Sequence, residues 1–160
     1  MPSRLQISTP TDTTIVLTRS FKAVRRLVWE AMTSPDKMKR WMIPPPGWTL
    51  EVCEVEPRRG GKLHLAWKSA DANPVMTLDG EWTEFDPHSR MVHTEVMKLP
   101  SGETAFSLVE AHEFTEQSGG TLMVITQTYA SKEARDGALS SGMDEGMEAC
   151  YQTLDAIVAA

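Results

Sequence analysis

Apolar and polar residues alternate with a period of two from Trp48 onward, in the runs WTLEVCEVE, KLHLAWK, VMTLDGEWTEF, RMVHTEVM, TAFSLVEAHEFTE and TLMVITQTY. Between them stand PRRGG, SADANP, DPHS, LPSG and QSGG, which supply the Gly, Pro, Asn and Asp of tight reversals. Period-two runs joined by such turns predict an antiparallel meander. An earlier run, TTIVLTRSF, adds a seventh strand. After it, AVRRLVWEAMT sets Val24, Leu27, Val28, Ala31 and Met32 at helical spacing and leaves Arg25, Arg26 and Glu30 to solvent. Ser34 and Pro35 then form an N-cap and first turn for a second short helix, PDKMKRWM, which the proline run PPPG stops. A last helical segment begins at SKEARDGAL and continues through SGMDEGMEACYQTLDAI. The predicted class is α+β, a curved antiparallel sheet of about seven strands with a long C-terminal helix. Residues 14–160 form one domain in this reading, and residues 1–13 a frayed leader.

The long helix has an unusual surface. Met143, Met147, Cys150, Leu154 and Ile157 step by four, three, four and three, which makes one buried stripe and places Asp144, Glu148, Gln152 and Asp155 away from it. Gly146, beside the stripe, costs about 1 kcal/mol in helix propensity against alanine and lets a neighbouring backbone or a ligand come close. Methionine repacks around guests of different shape more readily than branched residues do. The stripe therefore suits the wall of a variable cavity, and it equally suits a core helix with no guest.

Composition narrows the partners. The chain has 160 residues, 41% of them apolar and 24% charged, with a formal net charge of −6. That is the makeup of one globular domain, and the acidic balance works against a nucleic-acid backbone or an anionic membrane surface as partner. No apolar run approaches the length of a membrane span. Cys53 and Cys150 stand far apart in no C-x-x-C pattern, so free thiols in a reducing cytoplasm are expected rather than a disulfide framework or a zinc ribbon.

The order of elements and several segments resemble a known family. VWEAMTSPDKMKRWM (residues 28–42), EPRRGGKLHL (56–65), GEWTEFDPHSRMVHT (80–94), GGTLMVITQT (119–128) and SGMDEGMEACYQTLD (141–155) are similar to the helix-grip fold of the START and birch-pollen-allergen (SRPBCC) superfamily. Within it they resemble the branch of the activator of the heat-shock protein 90 ATPase (AHSA-like). The resemblance implies a sheet gripping the C-terminal helix around a cavity for a hydrophobic or aromatic molecule. Two departures lie where the mouth and lining of that cavity would be. Met42, Ile43 and three prolines follow Trp41, where relatives have a second tryptophan and Gly-Pro, and Met147 replaces a common aromatic.

Turn positions fix which residues share a sheet face. Turns at Ser101-Gly102 and Ser118-Gly119 set His93 opposite Glu110, Glu110 opposite Gln127, and His112 opposite Ile125. Pairing Glu84 with Met91 brings Trp82 beside His93. The row Trp82, His93, Glu110, Gln127 then shares its face with Leu63, Leu65, Trp67, Met76, Leu78, Leu108, Phe114, Met123 and Ile125, the face expected to meet the helix.

Buried polar groups must hydrogen-bond one another, water or a ligand, so this row is the candidate site. The expected ligand-binding set is Trp41, Trp48, Leu65, Trp67, Trp82, His93, Glu110, His112, Gln127, Met143, Met147 and Cys150. Trp41 and Trp48, with Pro44, Pro45 and Pro46, are assigned to the mouth. His93, Glu110 and His112, as two-residue neighbours or cross-strand partners, could converge on a metal, but no H-E-x-x-H or Cys/His spacing supports one, and no phosphate loop or nucleophile elbow is present, so no metal or cofactor is assigned. His64 and His88 are expected at the solvated surface.

Three functions compete at this stage. One is a carrier or sensor of a small hydrophobic molecule. Another is a cyclase- or lyase-type enzyme in which His93 and Glu110 are the catalytic acid-base pair. The last is an interaction module for a chaperone or other protein. Val92, Val96, Val109, Ala111, Leu122 and Val124 on the opposite sheet face suggest a homodimer contact, or simply β-propensity.

Overall fold

A computed structural model describes residues 3–71 and 75–159; residues 72–74, in the predicted SADANP turn, lie outside the described residues. Strands β1 (Gln6–Ser8) and β2 (Thr14–Phe21) lead into helices α1 (Arg25–Thr33) and α2 (Pro35–Trp41). The meander follows as β3 (Trp48–Val55), β4 (Lys62–Ser69), β5 (Val75–Asp86), β6 (Arg90–Lys98), β7 (Thr104–Gln117) and β8 (Gly120–Tyr129). Helices α3 (Lys132–Leu139) and α4 (Met143–Val158) complete the chain, so the last helical segment, expected to run unbroken, is interrupted at residues 140–142, where Gly142 takes a left-handed φ of 77°. All pairs are antiparallel, in the order β1-β2-β8-β7-β6-β5-β4-β3, so the first two strands close onto the last one.

The sheet has eight strands rather than seven. The expected leader contains β1, in which Gln6, Ile7 and Ser8 pair with Thr18, Leu17 and Val16. Just before it, the Leu5 amide donates to Glu148 Oε1 at 2.7 Å. A short polar run with no inward-facing periodicity carries little strand signal, and its order comes from the edge of β2 and from α4.

The registers of β6, β7 and β8 follow the turns. His93 pairs with Glu110, Glu110 with Gln127, and His112 with Ile125. Ser118 and Gly119 have φ of 42° and 80°, the doubly left-handed backbone whose twist suits a two-residue hairpin. On β5 the pairing Trp82–His93 also holds, but Glu84 faces Val92 and Phe85 faces Met91, because a bulge intervenes between Trp82 and Glu84. The expected Glu84–Met91 pair is thus shifted by one residue. Nearby, a methyl group added to Gly80 would strike the Thr94 carbonyl, so this strand position accepts only glycine.

The core lies between the concave sheet face and the helices. Ile15, Leu17 and Phe21 of β2, Val28 and Trp29 of α1, Met123 and Ile125 of β8 and Leu154 of α4 are buried there. Trp29 packs edge-on against Phe85 and Phe114, with centroids 5.1 and 5.6 Å away. On the convex face Val92 is buried, Val96, Ala111, Leu122 and Val124 are half-buried, and Val109 is exposed.

Helix α4 buries a sector turned away from the expected apolar stripe, of which only Leu154 is buried while Met143, Met147, Cys150 and Ile157 are half-buried. Glu148, expected at the solvent side, is buried with Tyr151 and Leu154. Its partner is Arg19, which occupies an inward position of β2 between Leu17 and Phe21 and is 1% exposed. Arg19 donates to both Glu148 oxygens at 2.9 and 3.0 Å and to both Asp155 oxygens at 3.0 and 2.8 Å. The guanidinium also lies over the Phe21 ring, 4.9 Å from its centroid. This double fork joins β2 to α4 and fixes how the helix lies across the sheet.

Candidate functional site

Between the sheet and α4 lies a cavity of about 910 Å³. Its walls are largely apolar. Leu63, Leu65 and Trp67 come from β4, Met76, Leu78 and Trp82 from β5, and Met143, Met147 and Cys150 from α4. The segment after α2 adds Met42, Ile43, Pro44, Pro45 and Pro46. The prolines cannot extend α2, and the chain they redirect becomes one side of the cavity.

Most residues expected at the site line this space: Trp41, Leu65, Trp67, Trp82, His93, Glu110, His112, Gln127, Met143, Met147 and Cys150. Trp48 does not; it is half-buried at the start of β3, outside the lining. Trp41 lines the wall rather than standing at a mouth, because its indole N–H donates to the Ala31 carbonyl at 2.7 Å and its ring tilts against Tyr151. Gly146 also differs from expectation. A methyl group added there would meet no heavy atom within 4 Å, so the glycine leaves open space instead of admitting a neighbouring backbone.

The polar end is built on β6, β7 and β8. Gln127 Nε2 donates to Glu110 Oε2 at 3.1 Å, and Tyr129 Oη donates to Gln127 Oε1 at 2.9 Å. His112 Nε2 lies 3.2 Å from Glu110 Oε1. One buried chain therefore runs from Tyr129 through Gln127 and Glu110 to His112. His93 stacks on His112, with ring centroids 5.6 Å apart and planes 26° apart, and turns Nδ1 toward Glu95 Oε1 at 3.7 Å. The imidazole in reach of Glu110 is thus His112, not the His93 expected from strand pairing. His112 Nδ1 and Trp82 Nε1 are buried with no hydrogen-bond partner.

Burial controls the charges here. It lowers the His112 pKa to about 4, against the raising effect of Glu110, so the ring is neutral at pH 7. Burial, reinforced by the Glu110 carboxylate, holds the Glu95 carboxyl well above the usual range. Burial likewise pushes the Tyr129 phenol up, with Glu110 and Glu95 adding to it, and keeps it a hydrogen-bond donor. Among the described residues the cavity lining contains two carboxyl groups and no lysine or arginine.

The alternation of β6 carries a signal for Glu95. It lies two residues from His93 and so shares its face, and its side chain is only 14% exposed. Tyr129 bears the same relation to Gln127 on β8. Tyr151 of α4 closes the cavity from the other side, beside the expected stripe.

Residues 22–159 match the family described as Activator of Hsp90 ATPase homolog 1-like protein. The chain belongs to this family. Its fold is the helix-grip fold, and the same architecture recurs in solved structures. A Rhodobacter sphaeroides protein is 28% identical, with a TM-score of 0.88 over 98% of this chain and 99% of that one. A Mycobacterium smegmatis protein is 23% identical, with a TM-score of 0.81 over 96% of each chain. A Nitrosomonas europaea protein is 20% identical, with a TM-score of 0.79 over 94% of this chain and 97% of that one. None of the curated proteins matches.

Membership in the family supports a ligand-binding domain in general terms. The remaining sequence expectations concern the surface. Cys53 and Cys150 are both free, the first buried and the second half-buried with its thiol 3.6 Å from the Ile43 carbonyl. His64 is partly exposed and pairs with Asp79 at 2.6 Å. His88 is half-buried in the β5–β6 turn at φ 71° and packs edge-on against Trp29, so it is less solvated than expected. Among the described residues no helix is long and apolar enough to cross a membrane.

Proposed function

We propose that this protein binds a small, largely hydrophobic molecule between the sheet and α4. The observation that carries the reading is the cavity itself. Its volume of about 910 Å³ lies within the range of small-molecule sites, and few polar groups line it. The apolar part of the guest packs against Leu65, Trp67, Met143 and Met147. Its polar end meets Glu110, His112 and Gln127, and the unpartnered His112 Nδ1 and Trp82 Nε1 are polar atoms that a guest or a water would satisfy. The methionines adapt the wall to guests of differing outline.

Native mass spectrometry of freshly purified protein, together with titration of the neutral fluorophore N-phenyl-1-naphthylamine, tests this reading. Saturable binding that Met147→Trp weakens at least about tenfold supports it. Binding that is absent, or indifferent to that substitution, overturns it.

The 3.2 Å approach of His112 Nε2 to Glu110 favours a second reading, in which this pair moves a proton on the bound molecule. Turnover separates the two. A guest that emerges unchanged, with only its affinity altered in Glu110→Gln, is carried and not converted.

A further inference from the structure

The polar end of the cavity has the donor set of a metal centre. We propose that His93, Glu110 and His112 bind a divalent transition-metal ion, independently of any organic guest.

Three observations converge. The first is geometric. One ligand atom from each of these buried residues lies within 4.8 Å of the others. His112 Nε2 and Glu110 Oε1 are already 3.2 Å apart, close to the roughly 3–3.5 Å that separates two ligands each about 2.1 Å from one ion. The His93 ligand atom, within 4.8 Å of the other two, would have to draw closer to complete the set. Antiparallel pairing makes this convergence possible without a sequence motif, because His93 faces Glu110 across the strands and His112 follows Glu110 by two residues.

The second is the arrangement around the donors. Gln127 donates to the Glu110 oxygen that does not face His112, which orients the carboxylate. On the Nδ1 side of His93 stand the Thr94 carbonyl at 3.4 Å and, farther off, Glu95 Oε1 at 3.7 Å, which leaves Nε2 for the ion. An acceptor behind a ligating imidazole and a hydrogen bond behind a ligating carboxylate are the supports that metal ligands need. His112 lacks such a protein partner at its buried Nδ1, where a water would supply it.

The third is charge. Glu95 and Glu110 are enclosed together, and the buried arginines among the described residues are committed elsewhere, Arg19 to Glu148 and Asp155 and Arg135 to Asp136 and the Thr11 carbonyl. Two imidazoles and one carboxylate select a transition metal over magnesium or calcium, and they leave coordination positions open toward the cavity.

Cobalt(II) titrated into the metal-free full chain, without organic guest, tests the proposal through its visible absorption. One equivalent should bind with the spectrum of a four- or five-coordinate ion. Glu110→Gln and His112→Gln should each weaken binding at least about tenfold, and Glu95→Gln, which alters only the support of His93, by about tenfold. His64→Gln, at the exposed His64–Asp79 pair, should leave binding unchanged. A zinc-soaked crystal of the unaltered protein supplies a readout that needs no variant: an anomalous peak among His93, Glu110 and His112. Lack of saturable cobalt binding, binding lost in His64→Gln but kept in His112→Gln, or a crystal peak only elsewhere would overturn the proposal. Fluorophore binding that persists in chelator after such a result leaves the organic-guest reading standing and removes only the metal.

Discussion

Arg19 holds Glu148 in a two-pronged grip across 129 positions of sequence, with Nε and Nη2 donating to separate carboxylate oxygens at 2.9 and 3.0 Å. Both side chains are buried, so the pair is strong as a unit and costly to break. The Leu5 amide and Gln152 Nε2 also donate to this carboxylate, at 2.7 and 3.1 Å. Removing one charge leaves the other uncompensated. Urea unfolding should show Arg19→Leu less stable by about 3–5 kcal/mol, with Glu148→Leu in the same background recovering much of the loss. A single-variant cost below about 1 kcal/mol would mean that this fork does not secure α4.

The same carboxylate gives stability an acid limb. Burial pushes the Glu148 pKa up, but hydrogen bonds from Arg19, Leu5 and Gln152 and the guanidinium charge outweigh it, lowering the value from its ordinary 4.5 to about 2. The unfolded chain therefore binds this proton more readily than the folded one. The contribution is fully present above pH 4.5 and is lost as pH falls toward 2, an amount of up to about 3 kcal/mol. Denaturation midpoints measured over that window should fall for the unaltered protein and fall less for Glu148→Gln. Parallel curves would assign the acid limb to other groups.

Gly146 offers the opposite effect. Its position in α4 has helical neighbours but open space where a side chain would begin. Gly146→Ala should raise stability by about 1 kcal/mol, seen as a higher thermal midpoint. An unchanged or lower midpoint would show that a contact absent from the folded state sets its value, such as one made in the unfolded chain.

Cavity volume and stability should separate at Met147. This side chain lines the cavity and is half-buried, so a larger ring has space to occupy. Met147→Trp should reduce fluorophore affinity at least about tenfold, a loss of roughly 1.4 kcal/mol of binding free energy, while the thermal midpoint stays near that of the unaltered protein. Equal affinity in the two proteins would place the binding site outside the cavity.

The sheet was legible because its signals are local. Period-two alternation and two Gly-containing turns predict the row His93, Glu110, Gln127; at Ser118-Gly119 a two-residue hairpin leaves one register, whereas at Ser101-Gly102 a bulge between Met97 and Lys98 makes up for a longer turn and restores the expected pairing. The bulge after Trp82 escaped that reasoning, because an extra residue in one strand changes neither the alternation nor the turn. Trp48 was misplaced for a related reason: nearness to the proline run in sequence does not say which way the following strand points its side chains.

Arg19 and Glu148 mark the limit more sharply. Each violates the pattern of its own element, a cation at an inward strand position and an acid beside the apolar stripe of a helix, and only their meeting makes either burial tolerable. Glu95 and Tyr129 were within reach of the period-two rule, whereas Tyr151 depended on how α4 rotates about its axis.

By itself the sequence determined the order of β2 to β8 with the two short helices among them, the central strand registers and the placement of hydrophilic groups on a face that must meet a helix. Backbone periodicity and turn chemistry suffice for these because they act between near neighbours. Only the tertiary structure decided that β1 joins the sheet, that Arg19 anchors α4 and that the enclosed space stays open. Those outcomes depend on pairing polar groups and filling volume between separate elements, Arg19 with Glu148 across 129 positions and Leu5 with Glu148 across 143, for which no local pattern carries the information.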